Sequence, residues 1–180
     1  MTRHFKVREA REGDVAQLAE GFYAFEVRSV FIEPFDGSDL IESTLAVPYE
    51  KIYDFDATSL KEHIGNAEAA LFVVDDLDFR PRGYIAVSHF WNGYASIDDL
   101  AVDLSLRRLG AAKLLMNAAA NWAQQEGLAG LRLETQNNNV AACKFYKQYG
   151  FILGGYDQYL YSGIQTEKAE TALFWYLRFL

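Results

Sequence analysis

Between residues 94 and 135 the chain reads as strand, turn, helix and strand in one unbroken run, and nothing else in it restricts the fold so strongly. Residues 94–102 follow the tight-turn pair Asn92-Gly93 with strand character. Ala111, Leu114, Leu115, Ala118, Ala119 and Trp122 then recur at helical spacing, Gly127 stops the helix, and residues 128–135 return to strand character. A strand that rejoins its sheet after a helical crossover runs parallel to the first, so the chain is α/β with a mixed sheet.

The turn ahead of that helix is Arg107-Arg108-Leu109-Gly110-Ala111-Ala112-Lys113. Backbone N–H groups at a helix start gather positive potential, and Gly110, Ala111 and Ala112 keep side chains out of the approach path. The segment is therefore an anion cradle, with Arg107, Arg108 and Lys113 as mobile cations beside it. The alternative is a solvated basic turn, where those charges oppose the helix dipole.

The remaining elements follow from periodicity and punctuation. Residues 5–9 read as a strand, and Gly13-Asp14 opens a helix carrying Val15, Leu18, Ala19, Phe22, Phe25 and Val27. Residues 32–52, broken by Pro34, Gly37-Ser38 and Pro48, read as loop or short helix. A helical turn is expected over 58–64, strands over 70–74 and 83–90, a helix over 138–149 closed by Gly150, and strands over 151–161 and 172–179. The sum is a mostly antiparallel sheet of six to seven strands flanked by helices. No linker rich in Pro, Gly or Ser divides the chain, so residues 1–180 are expected to form a single domain.

Composition removes whole classes of function. A formal charge of −8 disfavours nucleic acid or an anionic membrane as partner and favours a cationic one. His4, His63 and His89 are scattered without ligand spacing, so no metal is expected. Cys143 is the only cysteine, which forbids an internal disulfide and suits a reducing, cytoplasmic setting. The start, Met1-Thr2-Arg3-His4-Phe5-Lys6, lacks the apolar stretch of a signal peptide, and no segment has the length and apolarity of a membrane span.

The succession Leu100-Ala101-Val102-Asp103, Arg107-x-x-Gly110-x-Ala112, Asn139, Tyr146 and Gly150-Phe151 resembles the GNAT acyltransferases, with Ala112 where many members carry a second glycine. Within that family, Ile97-Asp98-Asp99-Leu100-Ala101-Val102, Leu133-Glu134-Thr135-Gln136, Ala142-Cys143-Lys144-Phe145-Tyr146 and Phe174-Trp175-Tyr176 are most similar to the streptothricin acetyltransferases. The resemblance implies the GNAT fold and acetyl-CoA as co-substrate. It also implies that backbone groups of Leu100, Ala101 and Val102 align the pantetheine arm. In the same way the turn from Arg107 through Arg108, Leu109, Gly110, Ala111, Ala112 and Lys113 is implied to hold the pyrophosphate. Tyr146 is implied as the general acid toward the departing thiolate. The implied reaction is direct attack, in a ternary complex, by a primary amine of a small cationic acceptor such as the β-lysine moiety of streptothricin. The competing readings are a protein or peptide N-terminal acetyltransferase and a noncatalytic acyl-CoA-binding sensor.

Residue chemistry adds its own constraints. An alkyl amine with a pKa near ~10.4 is protonated at neutral pH, so a base must take its proton. Glu134, Asp98 and Asp99 are the contenders. Glu134 lies twelve residues before Tyr146, a spacing that some family members use for such a base. Asp98 and Asp99 are adjacent on a strand and are expected to point to opposite faces, so only one of them lines a pocket. Asn139 and Tyr146 are seven residues apart, two helical turns, and are expected to face one cofactor groove. Asp75, Asp76 and Asp78, with Asp54 and Asp56, read either as an acidic rim or as a solvated loop. Phe174, Trp175, Tyr176 and Phe179 read as strand core or as the seam of a homodimer. Cys143 reads as a packing residue.

Overall fold

The structure is a computed structural model describing residues 5–36, 39–165 and 170–179; His4 and the Gly37-Ser38 turn signal lie outside the described residues. In chain order the elements are β1 (Lys6–Glu9), α1 (Glu12–Leu18), β2 (Phe25–Ile32), β3 (Ile41–Lys51), α2 (Ala57–Glu62), β4 (Ala69–Asp75), β5 (Pro81–His89), β6 (Ala95–Val102), a short 3-10 turn (Leu104–Leu106), α3 (Ala111–Gln125), β7 (Gly130–Gln136), α4 (Val140–Tyr149), β8 (Ile152–Asp157) and β9 (Ala172–Arg178). Among the described residues seven strands form a mostly antiparallel sheet in the order β1-β4-β5-β6-β7-β9-β8, while β2 and β3 pair only with each other. The fold is α/β, with four α-helices accompanying the sheet.

The described residues form two compact units, with the chain crossing between them after Ala24, after Lys51 and again within β7. The first holds β1, α1, α2, β4, β5, β6 and α3. Its core forms because β4 and β5 are near-continuous apolar runs that present both faces for burial. One face packs Leu71, Val73, Tyr84 and Ala86 against Val15 and Leu18 of α1 and Leu60 of α2. Helix α3 contacts β4, β5 and β6 and buries Leu115, Met116, Ala119 and Ala123. Arg8 joins β1 to α1 and β4 by bridging Asp14 at 2.6 Å and Asp75 at 2.8 Å. The second unit holds β2, β3, α4, β8, β9 and most of β7.

Three expectations need correction. The helix opened at Gly13-Asp14 ends at Leu18, and Phe25 and Val27 belong to β2. The Gly21 amide bonds the Leu18 carbonyl at 3.0 Å, and the Tyr23 hydroxyl donates to that same oxygen at 2.8 Å, so the helix end is capped early. Residues 41–51, read as loop or short helix, are strand β3. Most of β3 is exposed, so it lacks the apolar alternation that marks a half-buried strand, and Pro48 falls where its register with β2 is irregular. Strand β8 stops at Asp157 rather than Tyr161, because the Asp157 carboxylate accepts the Tyr159 amide at 2.7 Å and starts a turn.

Candidate active site

In the first unit the site is built around an irregularity in β6. Ala86 of β5 pairs with Asp99 and its neighbour Val87 pairs with Ile97, so Asp98 is an extra residue, a β-bulge. The bulge breaks the alternation of side chains. Tyr84 and Ser88 stand four apart on β5 and share a face; the Tyr84 hydroxyl donates to Asp99 at 2.8 Å and the Ser88 hydroxyl donates to Asp98 at 2.6 Å. Asp98 and Asp99 therefore lie on one face, not on opposite faces as expected. Asp98 also meets the His63 ring at 2.9 Å. Burial drives the Asp99 carboxyl above the ordinary carboxylate range, against the opposing hydrogen bond from Tyr84. Burial raises the Tyr84 phenol as well, so it stays a donor.

The strand then enters the cradle. Arg108 and Gly110 adopt left-handed backbone, with φ of 61° and 90°, and a Cβ on Gly110 would meet nothing within 4 Å. Such alternation turns successive amides inward as a nest, and it delivers the chain into α3 at Ala111. The first intrahelical bond runs from the Leu114 amide to the Gly110 carbonyl, which leaves the amides of Ala111, Ala112 and Lys113 without an intrahelical acceptor. An anionic diphosphate fits that donor set. Arg107 is not the mobile cation expected of it. Its guanidinium donates to the carbonyls of Val102 at 3.0 Å, Ala24 at 2.7 Å and Tyr23 at 2.7 Å. Asp103 adds a bond from the Phe22 amide at 2.7 Å, so residues 22–24 are fastened to the cradle's base. Arg108, Leu109 and Lys113 are exposed.

In the second unit Asn139 is the N-cap of α4, accepting the Ala142 amide at 3.2 Å. Tyr146 is 8 % exposed and packs among the rings of Phe145, Phe151 and Trp175. Glu134 is exposed on β7 and accepts a hydrogen bond from the Tyr161 hydroxyl. Cys143 is buried and its thiol is pushed up to about 12 by burial, in keeping with packing. Trp175 is core, on a strand flanked by β7 and β8. The acidic series is dispersed: Asp75 is buried on Arg8, Asp76 caps its loop through the Asp78 and Arg80 amides, and Asp56 caps α2.

Sequence reasoning did not find the cavity of about 870 Å³ in this unit, whose lining includes Phe31, Glu33, Phe35, Tyr49, Tyr159 and Glu170. Its residues come from the β2–β3 ribbon, from the connection between β8 and β9, and from Asn137 just after β7. Glu170 is neutralised there by Lys51 at 2.6 Å, and Asn138 donates to it at 2.6 Å. Glu33 is exposed at the same cavity. Among the described residues no three of His, Cys, Asp and Glu gather as a metal site, and no helix is long and apolar enough to cross a membrane.

Residues 38–151 match the model of the Acetyltransferase (GNAT) family. The chain is 37 % identical over 138 residues to streptothricin acetyltransferase A of Bacillus subtilis (strain 168), covering 77 % of this chain and 78 % of that protein. It is 36 % identical over 163 residues to a streptothricin acetyltransferase of Escherichia coli, covering 90 % of each. A Bacillus anthracis str. Ames structure solved in complex with acetyl coenzyme A superposes with a TM-score of 0.87 at 32 % identity, covering 98 % of this chain and 100 % of that one.

Proposed function

The chain belongs to the GNAT acetyltransferase family and is an acetyl-CoA-dependent N-acetyltransferase, and on that premise we propose that its acceptor is the β-lysine amine of streptothricin. The observation that carries this reading is the similarity along nine-tenths of the chain to the Escherichia coli streptothricin acetyltransferase. The cavity in the second unit supports it in chemistry, because aromatic walls and the Glu33 carboxylate suit an alkylammonium chain. The enzyme works as a single cytoplasmic domain on a small cationic molecule.

Acetyl-CoA supplies an activated thioester carbonyl, which the acceptor amine attacks directly in a ternary complex. The amides of residues 108–113 hold its diphosphate, and the backbone of residues 100–102 aligns its arm. Asn139, the N-cap of α4, is the further residue assigned to the cofactor. Asp99 takes the ammonium proton, since a carboxyl raised by burial is a better acceptor at neutral pH than an ordinary one. Asp98 is engaged by His63 and Ser88, and Glu134 by Tyr161. Tyr146 protonates the leaving thiolate.

Thiol release from acetyl-CoA, followed with streptothricin, with a panel of short peptides and with no amine, tests the proposal. Release is expected with streptothricin alone. Release with peptides only replaces the acceptor with a protein N-terminus, and tight CoA binding without turnover in any arm makes the protein a sensor.

A further inference from the structure

The His63 ring at the C-terminal end of α2 is 9 % exposed, and both of its nitrogens face oxygen acceptors. Nδ1 is 2.8 Å from the Ser59 carbonyl and Nε2 is 2.9 Å from Asp98 Oδ2. A carbonyl and a carboxylate have no proton to give, so each nitrogen carries its own and the ring is an imidazolium. Ser88 donates to the same Asp98 oxygen at 2.6 Å, so one carboxylate gathers α2, β5 and β6 at one point. That point is the extra residue of the bulge, immediately before Asp99 and the run 100–102.

We infer that His63 is a positioning residue for acyl transfer: its imidazolium, anchored on the Ser59 carbonyl, pins the Asp98 bulge and so fixes the backbone that carries Asp99 and aligns the acyl donor. The inference rests on the reading of β6 given under the proposed function. The groups facing the ring are Asp98 from β6, with Asp99 beyond it, Ser88 from β5 through Asp98, and Glu62 and the Ser59 carbonyl from its own helix. The hydrogen bond to Asp98 does most to raise the imidazole above its usual value, with burial opposing it. A group raised on folding contributes fully below its unfolded value of ~6.5 and loses that contribution as pH climbs through the native value. The pin is thus closed below ~6.5 and opens as pH climbs through the raised native value.

Two measurements decide the matter. Proton NMR titration of the imidazoles, with His63 assigned through His63→Gln, is expected to show His63 above ~6.5 in the native chain and returned toward ~6.5 in Asp98→Asn. In steady state, His63→Ala is expected to lower kcat/KM by about 10-fold or more, with KM for acetyl-CoA rising, because small misplacements of reacting groups are costly in rate. His63→Gln, which keeps one donor for Asp98, should recover part of that loss and lack the fall expected of the wild type as pH climbs through the native His63 value. A native His63 titrating at or below its usual value overturns the inference, and so do folded His63 variants with unchanged KM, kcat and pH profile, whatever their urea midpoints. If wild-type protein fails to bind acetyl-CoA in calorimetry, the reading of β6 fails and the inference falls with it; the NMR titration then still reports separately whether the pin exists.

Discussion

Arg107 carries a full charge at the mouth of an anion cradle and turns it inward. Three backbone carbonyls take its donors, and burial lowers its affinity for the proton. The sequence marked the residue as part of the site but not its job, because a run of basic residues does not tell which one folds under. Tyr146 and Asp99 are where individual chemistry is expected. Tyr146→Phe should cut kcat by about 10²-fold or more while leaving acetyl-CoA affinity intact; equal turnover removes it from the acid role. The kcat/KM of the wild type should fall as pH drops through the raised Asp99 value, since the base must be ionised. Asp99→Asn should abolish that limb and Glu134→Gln should keep it. The reverse pattern transfers the base to Glu134.

Among the elements, the glycine turn that enters α3 was legible because its geometry is local. A left-handed residue before a helix asks for glycine, and Gly110 supplies it at φ 90°. Gly110→Ala adds a methyl to open space, so its cost is backbone strain alone, about 1–2 kcal/mol, read as a lower urea midpoint. A chain that escapes the strain loses the nest and should bind acetyl-CoA more weakly by calorimetry. The β2–β3 ribbon was illegible for the opposite reason. Among the described residues each of its strands pairs only with the other, and most of β3 is exposed, so no buried face marks it. The bulge in β6 was equally silent, since one extra residue leaves the composition of a strand unchanged while moving Asp98 onto the face of Asp99.

At the scale of the whole molecule, charge and burial set two further expectations. The net charge of −8 should draw a polycationic acceptor, so its kcat/KM should decline as salt is raised; a flat dependence would leave recognition to short-range contacts. Arg8 holds two nearly buried carboxylates, and Arg8→Ala should cost about 3–5 kcal/mol in chemical denaturation. Its hydrogen bonds hold Asp14 below the ordinary carboxylate range, so this contribution is present above ~3.9 and fades as pH falls through the depressed native value. What the sequence alone determined is the order of strands and helices from β4 to α4, the glycine turn into α3 and the family they belong to, because turns, caps and periodicity act over a few residues. What only the tertiary structure decided is which carboxylates share a face, that Arg107 points inward, that His63 meets Asp98 across 35 positions, and that a ribbon and a distant loop enclose a cavity. Those contacts join residues far apart in the chain, and their geometry is fixed by how strands register and pack, which no local pattern of residues encodes.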